Sequence, residues 1–177
     1  MKVGDLNFEL KIKKEQIQQR VAELGSEICA DYQDKTPVFL GVLSGSFMFL
    51  SDLMKVITLP AEVSFVKLAS YEGEKSSGTV QTQLGLTLDI AGRDVIVVED
   101  IVDSGHTMAF LLQMLQQEQP QSIRICSLLY KPQACQHHFA ELNYVGFEIP
   151  NDFVVGYGLD YNGLGRNLND IYQLAAN

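Results

Sequence analysis

Apolar residues along this chain recur with two different periods. Between Lys14 and Tyr32, Ile17, Val21, Leu24 and Ile28 are spaced four, three and four apart, which predicts an amphipathic helix. After Pro37 the run VFLGVL is apolar throughout, as suits a strand buried on both faces of a parallel sheet. Ser44-Gly45-Ser46 ends that run, and FMFLSDLMKVI predicts a helix. EVSFVKLASY reads as a strand and leads into EGEKSSGTVQ, a polar stretch that predicts a surface loop. TQLGLTLDI and GRDVIVVED predict two more strands, separated by Ala91-Gly92. IVDSGHT precedes the helical run MAFLLQMLQQ, which Pro120 helps to stop, and SIRICSLLYK is an apolar strand with Lys131 at its far end. The last forty residues are rich in Gly, Asn and aromatics, with short strand-like runs between turns. Strands alternating with helices predict an α/β fold with an open, mainly parallel β-sheet flanked by helices. Ligands of such sheets gather outside the carboxyl ends of the strands.

Composition narrows the function classes. The 177 residues include 46% hydrophobic and 20% charged positions, a balance expected of one globular domain. Thirteen Lys and Arg against 22 Asp and Glu leave a net charge of −9, which argues against nucleic-acid partners that need a cationic face. No apolar run reaches membrane-spanning length, and the N-terminal segment lacks the apolar core of a signal peptide, so the expectation is a cytoplasmic protein without membrane partners. Cys29, Cys126 and Cys135 form no CxxC pair and read as free thiols. His137 and His138 are adjacent rather than at ligand spacing, so no His/Cys metal site is expected.

The densest chemistry lies in VIVVEDIVDSGHTM, Val95 to Met108. An apolar strand leads to two consecutive carboxylates, Glu99 and Asp100, then to Asp103 and to Ser104-Gly105-His106-Thr107 at the head of a helix. Backbone N–H groups opening a helix favour an anion, Gly105 permits close approach, and Ser104 and Thr107 add hydroxyl donors. This is a cradle for one phosphate group. Two acids upstream suit a ribose diol, which makes a ribose 5-phosphate a natural occupant. The plainer alternative is a strand-end acidic pair followed by an Asp or Ser helix cap.

These residues resemble the phosphoribosyl-diphosphate motif of the type I phosphoribosyltransferases. LGVLSGSFMFLSDL is similar to that family's diphosphate-binding loop, LASY to the start of its flexible active-site loop, and LLYKP with VGFEIPNDFVVGYGLDYNGLGRNL to its purine-binding end. Over essentially the whole chain the sequence resembles the compact bacterial hypoxanthine(-guanine) phosphoribosyltransferases. The resemblance implies a single domain over residues 1–177, with a core over about 14–131 and a small hood from about 1–10 and 138–177. It implies a purine salvage enzyme in which N9 of hypoxanthine, and of guanine, attacks C1′ of 5-phosphoribosyl 1-diphosphate with Mg2+ as cofactor. A homodimer or homotetramer is implied as well. The rival readings are a xanthine-preferring or other phosphoribosyltransferase and a non-catalytic nucleic-acid-binding regulator with the same fold.

By the same resemblance, Glu99 and Asp100 face the ribose hydroxyls, and residues Asp103 to Thr107, including Ser104, Gly105 and His106, hold the 5′-phosphate. Asp103 is the candidate general base, nearest the purine N7; its alternative role is a helix cap. Lys131 is either a solvated strand-end cation or the donor to a purine O6, a task that favours 6-oxopurines over adenine because an ammonium cannot accept from an amino group. Phe153 is either packed in the core or stacked on the base, with Val154 and Leu159 at the purine edge. Glu99, Asp100 and Asp160 are the candidate metal-facing carboxylates. Leu43, Ser44, Gly45 and Arg166 match the diphosphate contacts. Ser44 stands where many relatives carry Lys, and the Leu43-Ser44 peptide matches one that is often cis. Ser70 and Tyr71 open the polar segment, either a lid over the reaction centre or an ordinary surface loop.

Overall fold

The computed structural model of the chain describes residues 1–70 and 80–175. Tyr71 and most of the expected lid lie outside them. The elements are β1 (Lys2–Val3), β2 (Leu6–Ile12), α1 (Lys14–Asp31), β3 (Val38–Leu43), α2 (Phe47–Val56), β4 (Glu62–Ser70), β5 (Val80–Leu84), β6 (Asp94–Val102), α3 (His106–Gln117), β7 (Ser122–Tyr130), β8 (Leu142–Glu148), β9 (Val154–Val155) and β10 (Ile171–Leu174).

Six strands form the central sheet in the order β5-β4-β3-β6-β7-β8, parallel except for β5, which runs antiparallel to β4. Alternation along its strands sorts the core into two layers. Phe39, Ile96, Val98, Cys126 and Leu128 pack with Ile17, Val21, Leu24 and Ile28 of α1 and Phe49, Leu50 and Leu53 of α2. Leu40, Val42, Val66, Val95, Val97 and Ile125 pack with Met108, Leu111, Leu112 and Leu115 of α3. Each amphipathic helix thereby buries its apolar stripe on one face of a sheet whose strands are apolar on both.

A second, four-stranded sheet, β1-β2-β10-β9, forms the hood from both ends of the chain. It is stitched to the body at α1, where the Lys14 backbone N–H donates to Asp170 Oδ1 at 2.7 Å. Among the described residues, no helix is long and apolar enough to cross a membrane.

Three details depart from the sequence expectation. The hood does not start at 138: Leu142–Glu148 pairs in parallel with β7 as the edge strand of the central sheet. Its half-buried side chains give a weak apolar signal, as an edge strand does. The run TQLGLTLDI is a strand only through Leu84; beyond Gly85 the chain leaves the sheet, and Ile90 is buried in the α3 layer as an isolated plug. β6 does not stop at the acids but continues through Val102, pairing Ile101 with Leu129 and Val102 with Tyr130.

Candidate active site

The strand order reverses between β3 and β6. β3 connects through α2 to β4 on one side, and β6 connects through α3 to β7 on the other. The crevice at such a reversal is where an open α/β sheet binds ligands, and the loops leaving β3 and β6 both open there.

Glu99 and Asp100 are buried within β6. Burial, and then the charge of Asp100, raise the Glu99 carboxyl well above the usual range; burial likewise raises Asp100. Taking two neighbouring carboxylates out of water disfavours their ionised forms, so the pair is primed for a cation or for hydroxyl donors. The Leu43-Ser44 peptide is cis. It leads to Gly45, where an added Cβ would lie 1.6 Å from Asp100 Oδ2. The loop after β3 thus rests directly on the acidic pair, and glycine is required for that approach.

Asp103, Ser104, Gly105 and Thr107 bound a cavity of about 250 Å³ whose wall also includes Glu99, Asp100 and Met108. α3 begins at His106, two residues earlier than its apolar run suggests. Its N-cap is Gly105 at φ +86, with no side-chain capping bond, so neither Asp103 nor Ser104 serves as the cap. A Cβ at 105 would press on Cys135 Sγ and the Phe139 ring, each at 3.0 Å. Segment 135–139 therefore floors the loop, and the Gln136 N–H donates to Ser104 O at 3.0 Å. His106 does not line the cavity; its Nδ1 meets His137 Nε2 at 3.0 Å.

The Asp103 carboxylate instead accepts from Lys131 Nζ at 2.6 Å. Lys131 is not a solvated strand end: its side chain is only 7% exposed, whereas that of Asp103 is 48% exposed. Because β6 and β7 are parallel neighbours, Lys131 leaves β7 beside the exit of β6, and its N–H donates to Val102 O at 3.0 Å.

The hood supplies the remaining candidates. The Phe153 ring is 43% exposed and lies 6.1 Å from the Phe8 ring and 5.9 Å, edge-on, from Tyr161. It is thus an exposed aromatic rather than a core residue, of the type that can stack on a planar ligand. Val154 and Leu159 are buried, and Leu159 O accepts from the Gly156 N–H in a tight turn. Arg166 is held twice, by Gly158 O at 2.7 Å and by Asp160 Oδ1 at 2.6 Å, while Asp160 Oδ2 accepts from the Gly163 N–H. Its positive charge also reaches Asp100. Glu99, Asp100 and Asp160 are not gathered into one cluster: among the described residues no group of three or more His, Cys, Asp or Glu is placed to hold a metal. Ser70 ends β4, its backbone paired with Val80.

Several site residues carried no clear signal of their own in the sequence. Gly158 sits so close to the loop after β3 that a Cβ there would lie 1.9 Å from Gly45 O. Tyr157 donates to Asp52 of α2. The spaced glycines of VGYGLD were the available clue.

A family model described as a phosphoribosyl transferase domain matches residues 11–162. The chain belongs to the phosphoribosyltransferase family. Within it, the chain is 46% identical over 178 aligned positions to the hypoxanthine-guanine phosphoribosyltransferase of Mycobacterium avium, covering 97% of this chain and 87% of that protein. It is 42% identical over 158 positions to the protein of the same name from Bacillus subtilis, covering 89% and 87%. The crystal structure of a hypoxanthine phosphoribosyltransferase from Staphylococcus aureus superposes with a TM-score of 0.90 at 41% identity, over 97% of this chain and 92% of that one. The type I phosphoribosyltransferase fold expected from the motifs is therefore the fold of this chain, and the motif lies on β6 and the turn into α3, at one side of the crevice.

Proposed function

We propose that this phosphoribosyltransferase moves the 5-phosphoribosyl group from 5-phosphoribosyl 1-diphosphate to N9 of hypoxanthine, and of guanine, giving the nucleoside 5′-monophosphate and diphosphate. The observation that carries this reading is the buried ammonium of Lys131, fixed by Asp103 at the mouth of the β6–α3 turn. A donor-only cation there selects a 6-oxo group and rejects a 6-amino group. The printed names of the relatives point the same way.

The Asp103–Thr107 turn binds the 5′-phosphate through its N–H and hydroxyl groups. Glu99 and Asp100 accept from the ribose hydroxyls, Phe153 stacks on the base, and the Gly45 loop with Arg166 faces the diphosphate. As N9 attacks C1′, the bond from C1′ to the diphosphate oxygen breaks, and the N7 proton passes to Asp103. Its carboxylate is half-exposed and within reach of a base held by Lys131.

Glu99 and Asp100, with Asp160 apart from them beside Arg166, offer only oxygen donors, the chemistry a hard divalent cation takes when substrate oxygens and water complete its shell. Mg2+ held by such carboxylates together with the substrate would supply charge neutralisation to the diphosphate. A cytoplasmic homodimer or homotetramer completes the reading. The deciding experiment is a spectrophotometric assay with hypoxanthine, 5-phosphoribosyl 1-diphosphate and Mg2+, run beside guanine, xanthine and adenine. Turnover with the 6-oxopurines, none with adenine, and loss of turnover in EDTA are expected. Turnover with adenine alone overturns the reading.

A further inference from the structure

We propose that Tyr157 and Asp52 form a positioning pair that keeps the base-binding hood in register with the loop after β3. The inference rests on the transferase reading above, because it concerns how the two ends of that site are aligned.

Tyr157 lies in the hood turn at φ +50, a backbone region that bulky side chains rarely adopt and that persists where surrounding contacts over-determine it. Its ring is buried in the core layer of α1 and α2, and its hydroxyl donates to Asp52 Oδ2 at 2.7 Å. Burial and the neighbouring carboxylate push that hydroxyl far above the usual tyrosine range, so it remains a donor throughout the working pH range.

What the bond joins gives it a role. Asp52 stands midway along α2, the helix that carries the Gly45 loop at its N-terminus. One residue beyond Tyr157, Gly158 abuts Gly45 O, donates its N–H to Arg166 O at 2.9 Å and accepts from the Arg166 guanidinium. A rotation of the hood turn about Tyr157 would separate Gly158 from Gly45 and carry Arg166 with it. The base approaches C1′ from the side opposite the departing diphosphate, so an error in that spacing falls on the line of attack, where transfer rates are steeply sensitive to geometry. A phenylalanine at 157 would fill the same space, but it would lack the directional, charge-assisted bond that fixes the turn. Asp52 also accepts from Lys55 at 2.7 Å, an exposed pair that contributes little by itself.

The test uses the full-length protein with Tyr157→Phe, Asp52→Ala, Asp52→Asn and the double variant Tyr157→Phe/Asp52→Ala. Both Tyr157→Phe and Asp52→Ala should lower kcat/KM for 5-phosphoribosyl 1-diphosphate by roughly 10- to 100-fold. Their melting temperatures should fall by no more than a few degrees, since one part-buried hydrogen bond is lost and Asp52 remains about one-third exposed. Asp52→Asn, which still accepts the tyrosine's hydrogen bond, should recover most of the loss, and the double variant should be no worse than either single change. Unchanged kcat/KM in Tyr157→Phe, or Asp52→Asn as impaired as Asp52→Ala, overturns the inference while leaving the transferase reading intact. Should Tyr157→Phe fail to fold, the contrast between Asp52→Ala and Asp52→Asn decides alone. Wild-type protein without transfer activity in the same assay removes the transferase reading, and this inference with it.

Discussion

Lys131 and Asp103, 28 positions apart in the chain, form one hydrogen-bonded pair: the buried ammonium donates to the half-exposed carboxylate at 2.6 Å. The group proposed to recognise the purine oxygen therefore also orients the group proposed to take the purine proton. Asp103→Asn keeps the shape of this pair and removes its basicity. Turnover should fall by about 10²–10⁴-fold, with binding of 5-phosphoribosyl 1-diphosphate largely kept. Single-turnover kinetics alongside calorimetric titration would check this, and near-normal turnover would assign the proton to another group.

Lys131→Gln leaves Asp103 without its cation and the purine oxygen with only a neutral donor. A hydrogen bond to a charged group outweighs a neutral one, so kcat/KM for hypoxanthine should drop by roughly 10- to 100-fold. Steady-state assays at saturating 5-phosphoribosyl 1-diphosphate read the effect. Unaltered constants would take Lys131 out of base recognition.

Glycine is needed at two contacts of the loop after β3, one with β6 and one with the hood turn. Gly45→Ala drives a methyl group into the Asp100 carboxylate, and Gly158→Ala drives one into Gly45 O from a backbone at φ +101. Each variant should fold, because the central sheet lies below these loops, and each should lose diphosphate affinity by at least about tenfold through displacement of a whole turn. Titration with inorganic diphosphate and Mg2+ measures it. Wild-type affinity in both variants would mean that the contact yields freely.

The acidic pair makes stability depend on pH. Glu99 and Asp100 have folded-state pKa values raised above their unfolded ones by burial, so folding takes up protons. Their contribution is fully favourable below about pH 4, and it is lost as the pH rises through the raised values. The ligand-free protein should therefore lose this contribution between about pH 4 and pH 8. Glu99→Gln should flatten that slope and raise the pH 8 midpoint by about 2–4 °C. A fall in the midpoint on this substitution would show instead that the ionised carboxylate is well solvated.

Legibility from sequence followed the strength of local periodicity. The helices α1 and α2 and the strands β3, β6 and β7 were readable because each buries a continuous stripe or run. β8 was not, since an edge strand with half-buried residues carries little alternation. β1 and β9 are two residues long and exist only through their partners. At the site, the residue types and the Asp103–Thr107 turn stood in the sequence, but the pairings did not. Lys131 finds Asp103 because β6 and β7 are neighbours in the sheet. Gly158 meets Gly45, and Tyr157 meets Asp52, only because the hood folds back over α2. No spacing rule records such meetings.

The pairing of β2 with β10 also has a temporal side. The hood sheet, proposed to receive the base, joins residues 6–12 to residues 171–174, while every strand of the central sheet is complete by residue 148. A chain still on the ribosome can therefore assemble the central sheet before it can close the hood. β1 can pair with β2 at once, but the other edge of β2 waits for β10, so closure of the hood reports on translation through residue 174 in a way that central-sheet formation does not.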